Sequence, residues 1–242
     1  MRWAVALAVA ACLVGCTPEQ PERDPVAVPT DAVTAAPSPS ASAALPLLTG
    51  AFAPKDECAA QPGWAAFADQ LRAAIKARDA KAVAALADPA IKLDFGGGTG
   101  RDELIARLNG TTKFEPLWPQ LEALGSLGCA FDKDGNRATM PWFFQQDIAP
   151  HDPFEVLLTV GPDQMLLTGP DPKSAPVARL SWVLVKPVGS SDWEARYQRV
   201  SVIDHVETGY VATKALRSQI DYRLLATRGP QGWQIDALIA GD

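Results

Sequence analysis

The residues best suited to acid–base chemistry are the carboxylates Asp88, Asp94, Asp102, Glu103, Asp147, Asp152, Glu155 and Asp236. Such chemistry needs two of them in one apolar pocket, where burial lifts a pKa until the group holds a proton near neutrality. Their spacing fixes no such pair, and each one alone reads equally as solvated surface charge. His151 precedes Asp152 and His205 follows Asp204, and these are the chain's two histidines. A dyad is made in space, and adjacency along the chain does not supply it. The sequence contains no HExxH, GxSxG or SxxK. The expectation is therefore a non-catalytic protein with no metal and no cofactor.

Two further features could bind rather than react. Gly96-Gly97-Gly98-Thr99-Gly100 lies between a strand-like and a helix-like stretch, where loop amides can hold a phosphate. It lacks the spacing of a P-loop or of GxGxxG and contains no lysine, so a flexible turn is the simpler reading. Trp182, Trp193, Tyr197 and Tyr210 fall in one segment and could stack on sugars or on proline-rich strands. Aromatic residues of a small β domain also build its core, and both readings stay open for these four.

The chain begins with Arg2, an apolar run from Trp3 to Val14, and the small Gly15 before Cys16. That is the layout of a secretory signal peptide. Twelve apolar residues make a helix of about 18 Å, too short for a hydrocarbon core of about 30 Å. Leu13-Val14-Gly15-Cys16 resembles a bacterial lipoprotein lipobox. The resemblance implies diacylglyceryl transfer to the Cys16 sulfur, cleavage before Cys16 and attachment to a membrane through lipid. Thr17, in place of Asp, implies sorting to the outer membrane, facing the periplasm.

Composition narrows the partners. The net charge is −6, with no basic cluster, which argues against nucleic acid. Of four cysteines, Cys12 leaves with the signal and Cys16 carries lipid. Cys58 and Cys129 remain in an oxidising compartment, where a disulfide is the natural state. The alternative, a metal or redox pair, finds no CxxC and few histidines to support it.

The elements that must position these residues follow the tether. Residues 17–46 hold seven prolines among Ala, Ser, Thr and acidic residues and cannot bury enough apolar surface to fold. Trp64, Phe67, Leu71 and Ile75 have helical spacing, and Asp79 begins a second helix through Val83, Leu86 and Ala87, ended by Pro89. Ile91, Leu93 and Phe95 alternate like a strand, with Lys92 and Asp94 on its other face. Helical character resumes over 101–108 and, interrupted by Pro119, over 114–127. Asp134-Gly135 joins the runs 129–132 and 137–145 as a hairpin. A last pair of strands, 221–225 and 233–239, flanks Gly229-Pro230-Gln231-Gly232.

Between these lie Leu166-Leu167-Thr168-Gly169-Pro170, Ala175-Pro176-Val177-Ala178-Arg179-Leu180, Trp193 and Thr208-Gly209-Tyr210-Val211 through Leu216. These stretches resemble bacterial Src-homology-3-like barrels, with departures at Thr168 and at Leu180-Ser181-Trp182, where that family has a long residue and a glycine-containing turn. The helices, strand and third helix, followed by strands ending in Gly-Trp-Gln-Ile, resemble a nuclear-transport-factor-2-like cone. The expected fold is α+β: signal peptide 1–15, lipidated tether 16–54, cone-like domain 55–150, small all-β barrel 151–218, and a hairpin 219–242 returning to complete the first sheet. The expected function is a non-catalytic envelope lipoprotein whose barrel binds peptidoglycan or another envelope protein. The alternative is a small-molecule binder or enzyme using a pocket inside the cone.

Overall fold

Trp64, Phe67, Leu71 and Ile75 do share a buried helix face, and the computed structural model builds outward from it. The structure describes residues 44–114, 117–190 and 192–241, all within one compact unit, Ala44–Asp242. The signal peptide, Cys16 and most of the tether lie outside the described residues.

The first strand, β1 (Leu47–Thr49), precedes α1 (Trp64–Ala77) and α2 (Ala80–Ala85). Asp79 caps α2 by accepting from the Lys81 and Ala82 amides, both at 3.0 Å. That helix is shorter than its sequence suggests, because Ala87 already belongs to β2 (Ala87–Lys92) and Pro89 sits inside the strand. β2 lies at a sheet edge, where a residue without an N–H is tolerated. Next come α3 (Arg101–Leu108) and α4 (Trp118–Leu124), with Pro119 in the first turn of α4, where its missing N–H costs nothing. β3 (Ala130–Phe131) and β4 (Arg137–Met140) form the hairpin around Asp134-Gly135, with the Asp132 carboxylate accepting from the Asn136 and Arg137 amides. The second run ends at Met140, and Trp142–Gln145 form a 3-10 turn.

Seven strands follow in chain order: β5 (Leu157–Thr159), β6 (Gln164–Leu167), β7 (Pro176–Ser181), β8 (Leu184–Pro187), β9 (Tyr197–Val202), β10 (Thr208–Ala212) and β11 (Leu216–Ser218). The last two are β12 (Arg223–Gly229) and β13 (Gly232–Ile239). They pair with each other, and then β12 with β4 and β13 with β2, giving the five-stranded order β2-β13-β12-β4-β3. The C-terminal hairpin therefore completes the sheet begun by the N-terminal elements. Helices lie against one face of it, over Ile91, Leu104, Leu108, Leu121, Leu124, Leu224 and Ile235.

The other strands make an eight-stranded sheet, β1-β7-β6-β10-β9-β8-β5-β11, around a core that includes Leu48, Leu166, Leu180, Val185, Val200 and Val211. The architecture is α+β with mixed sheets. The closed barrel expected over 151–218 is not found among the described residues. β1 and β11 stand at the two ends of the sheet, with β1 paired in parallel to the outer edge of β7. That strand falls inside the stretch read as tether.

Residues 46–58 tie the two sheets together. Pro46 and Gly50 bond to β7 at Arg179 and Ser181, and Phe52 meets Phe143 edge-on at 5.3 Å. A Cβ on Gly50 would lie 2.2 Å from the Trp182 carbonyl oxygen, so only glycine fits that crossing. Further on, the Cys129 amide donates to the Lys55 carbonyl, and the Glu57 carboxylate accepts from the Trp142 indole at 2.7 Å. The Cys58–Cys129 disulfide closes the run, across a sequence separation of 71.

Candidate functional site

Alternation along β13 sends Trp233 and Ile235 into the helix-facing core and Asp236 to the opposite, open face, and the irregularity between Ile235 and Ala237 then reverses the phase so that Leu238 faces the core. β12 and β4 add Leu225 and Arg137 to that face, and β2 adds Asp88 and Lys92. The glycine loop closes one side with Gly97, Gly98 and Thr99, and Phe95 stands at the rim. Together they enclose a basin of about 770 Å³.

Asp236 is the group on it whose carboxyl is shifted upward. Desolvation by burial pushes its carboxyl above the usual aspartate value, against the attraction of Arg137, whose guanidinium lies 3.5 Å away. The Asp236 Oδ1 is buried and makes no hydrogen bond among the described residues. Asp88 spends one oxygen on the Ala90 amide at 2.7 Å. Phe95 is 63% exposed, and its ring lies 6.0 Å from the Arg223 guanidinium, which also stacks on Phe144 at 4.5 Å.

The glycine loop is not a phosphate cradle. Its Gly96 and Gly98 amides donate to the Asp94 Oδ1 at 2.8 and 2.7 Å, so the chain's own carboxylate fills the place of an anion. The other Asp94 oxygen pairs with Arg107, which also bonds Glu103 and the Leu93 carbonyl. Hydrogen bonds from Arg107 and then Gly98 hold the Asp94 carboxyl below its ordinary value. A Cβ on Gly98 would strike both Asp94 and Arg107 at 2.2 Å. Of the carboxylates singled out in the sequence, the structure brings Asp88, Asp94 and Asp236 to one basin.

The four aromatic candidates divide. Tyr197 and Tyr210 lie on one face of β9 and β10, as diagonal neighbours set by the pairs Tyr197–Ala212 and Tyr210–Arg199. Tyr197 stands between two adjoining grooves. One, of about 350 Å³, is lined by Asp163, Met165, Leu167, Pro172 and Pro176. The other, of about 320 Å³, is lined by Arg196, Thr213 and Lys214. Trp193 is 54% exposed on the turn leading into β9. Trp182 lies beyond the opposite end of β9, in the left-handed region at φ 54°, packed against the cluster of Phe143, Ile148, Val156, Leu158 and Leu184. A turn that favours glycine thus carries a tryptophan, and packing of its half-buried ring offsets the backbone strain.

Neither histidine reaches these surfaces. His205 is exposed in the turn after β9, and the His151 amide bonds the Ile148 carbonyl. Asp56, Cys58 and Cys129 approach within 4.8 Å of one another, but sulfurs joined to each other offer no thiolate to a metal. The interior between helices and five-stranded sheet, where the alternative reading puts a pocket, is filled by Ile91, Leu104, Leu121 and their neighbours. A cleft of about 350 Å³ remains at its margin, between α1 and the disulfide. Lys92 and Asp94 were legible together as one strand face; Arg137 and Phe95 were not, because nothing local marks their convergence. Among the described residues no helix is long and apolar enough to cross a membrane.

No family model matches the chain. No curated protein matches it. Among solved structures it is similar to an NTF2-like protein with a cystatin-like fold from Novosphingobium aromaticivorans, at 13% identity over 73% of this chain and 77% of that one, with a TM-score of 0.26. Overlap that slight carries no argument about fold, ligand or activity.

Proposed function

We propose that this is a lipid-anchored envelope protein that binds a partner without transforming it, through the outer face of the eight-stranded sheet. The observation that carries the reading is the placement of Tyr197 between an apolar groove at Met165 and a basic one at Arg196 and Lys214. A flat amphipathic ring flanked by apolar and cationic surfaces suits a chain that bears carboxylates, such as a cell-wall peptide or an extended segment of an envelope protein. The sequence supports the anchor through the lipobox resemblance at Cys16 and the module through its likeness to bacterial Src-homology-3-like domains. The disulfide supports the non-catalytic part, since it leaves neither mature cysteine beyond Cys16 as a nucleophile.

The test is co-sedimentation of the full chain, in mild detergent, with purified sacculi. Saturable pelleting that weakens about tenfold in Tyr197→Ala, the cost of a well-placed aromatic contact, supports wall binding. Equal recovery with and without sacculi rejects it.

A second reading, a small-molecule site in the first domain, is favoured by one observation. Asp236 is a carboxylate with a buried, unbonded oxygen in a large basin. On this reading the pocket lies on the open face of the five-stranded sheet and not in the interior.

A further inference from the structure

The basin has a definite chemical character once its committed groups are set aside. Asp94 is consumed by Arg107 and the loop amides. Four charged side chains remain on the lining, Asp88 and Asp236 against Lys92 and Arg137. Two acids against two bases favour neither a cation nor an anion. They offer acceptors and donors side by side, which suits groups that do both, namely hydroxyls. The Asp236 Oδ1, buried and unbonded, is an acceptor whose desolvation is uncompensated until a donor reaches it.

Phe95 supplies the apolar half. Its ring is 63% exposed, beside a strand whose neighbouring apolar residues, Ile91 and Leu93, are at most 2% exposed. It is nevertheless placed: Arg223 lies beneath it at 6.0 Å and is itself braced on Phe144 and on the Gly241 carbonyl. A flat apolar face held at the rim of a polar basin matches a ring with C–H groups on its faces and hydroxyls on its edge. The volume of about 770 Å³ lies within the range of small-molecule sites.

We propose that this basin binds a neutral saccharide, with a sugar ring stacked on Phe95 and its hydroxyls donating to Asp236 and accepting from Arg137 or Lys92. The inference rests on reading the basin as a ligand site. It is independent of the Tyr197 grooves.

The experiment titrates the full chain, in mild detergent, with three oligosaccharides of similar length: neutral N-acetylglucosamine tetramer, its cationic de-acetylated counterpart, and an anionic oligogalacturonate. Binding is read by calorimetry and by the NMR shifts of basin amides. The neutral sugar should bind, and Phe95→Ala and Asp236→Asn should each weaken it about tenfold, with Val206→Ala, at a residue 95% exposed, unchanged. Phe95 is exposed and Asp236→Asn keeps the shape, so both variants should retain the wild-type near-ultraviolet circular dichroism. If a charged sugar alone binds and shifts the basin amides, the saccharide proposal as stated fails while the basin remains a ligand site. If none of the three shifts those amides, proposal and site fall together. Sugar binding indifferent to Phe95→Ala also overturns the proposal. Where it holds, sacculi identify the source. Residual pelleting of Tyr197→Ala that vanishes on adding Phe95→Ala assigns the wall polymer, and its absence assigns a free saccharide.

Discussion

Arg107 and Asp94 form an ion pair in which the guanidinium is only 3% exposed while the carboxylate, at 29%, reaches the surface. The pair joins α3 to the end of β2, and its other hydrogen-bond partners are the backbone of the glycine loop, the Leu93 carbonyl and Glu103. It makes the loop a structural turn and fixes the side of the basin that Gly98 forms.

Removing the carboxylate should therefore cost far more than a surface ion pair does. Asp94→Asn leaves a buried guanidinium with Glu103 and one carbonyl, and we expect a loss of about 3 kcal/mol in urea unfolding at neutral pH. Because the folded pKa of Asp94 is depressed, its contribution is present above the unfolded value of 3.8 and is lost as pH falls below that through the folded value. The gap between wild type and variant should accordingly narrow below pH 3.8; a gap constant with pH would refute the ion-pair account.

Asp236 should behave with the opposite sign. Its folded pKa is raised, so its favourable contribution is complete below 3.8 and disappears as pH rises through the folded value. Asp236→Asn is expected to stabilise the free protein at pH 7 by about 1 kcal/mol, because the neutral amide escapes the desolvation that burial imposes on the carboxylate. The advantage should vanish under acid. Parallel urea titrations of the two variants, at neutral and acidic pH, would show lines of opposite slope.

Replacing Cys58 and Cys129 together by serine removes a cross-link spanning 71 positions and should lower stability by about 2–4 kcal/mol. Thermal melting with and without reductant checks it. Reductant should move the wild type toward the variant and leave the variant where it was.

Cys16→Ser tests the anchor. The proposed lipoprotein should move from the membrane fraction to the soluble fraction and lose incorporation of a labelled fatty acid. Retention of both in the variant would dismiss lipidation at this residue.

What the sequence made legible was local. Asp79 announced its cap, Asp134-Gly135 its hairpin, and the alternation of Trp233 and Ile235 implied that Asp236 faces the other way. The Cys58–Cys129 bond followed from counting cysteines in an oxidising compartment. β1 was hidden because three residues in a proline- and alanine-rich stretch carry no periodicity, and their partner lies more than a hundred residues away. The open sheet was hidden with it. Arg107 had a faint signal in its spacing from Glu103, four residues before it, but nothing local tells a buried arginine from a solvated one. The basin depends on β2, β4, β12 and β13 meeting, so Phe95 and Arg137 became neighbours of Asp236 only in three dimensions.

The path of residues 46–58 has a mechanical consequence. Load arriving from the N-terminal side meets β1 first, and a three-residue strand at a sheet edge is the first element to peel. Peeling uncovers the outer edge of β7 and draws Leu48 from its core, and then works against the contact between Phe52 and Phe143. At Cys58 it stops, because the next link is covalent and passes the load to Cys129. The eight-stranded sheet can thus lose its outermost strand under tension while α1, α2, β2, α3 and α4, the segment closed by the disulfide, stay out of the line of load.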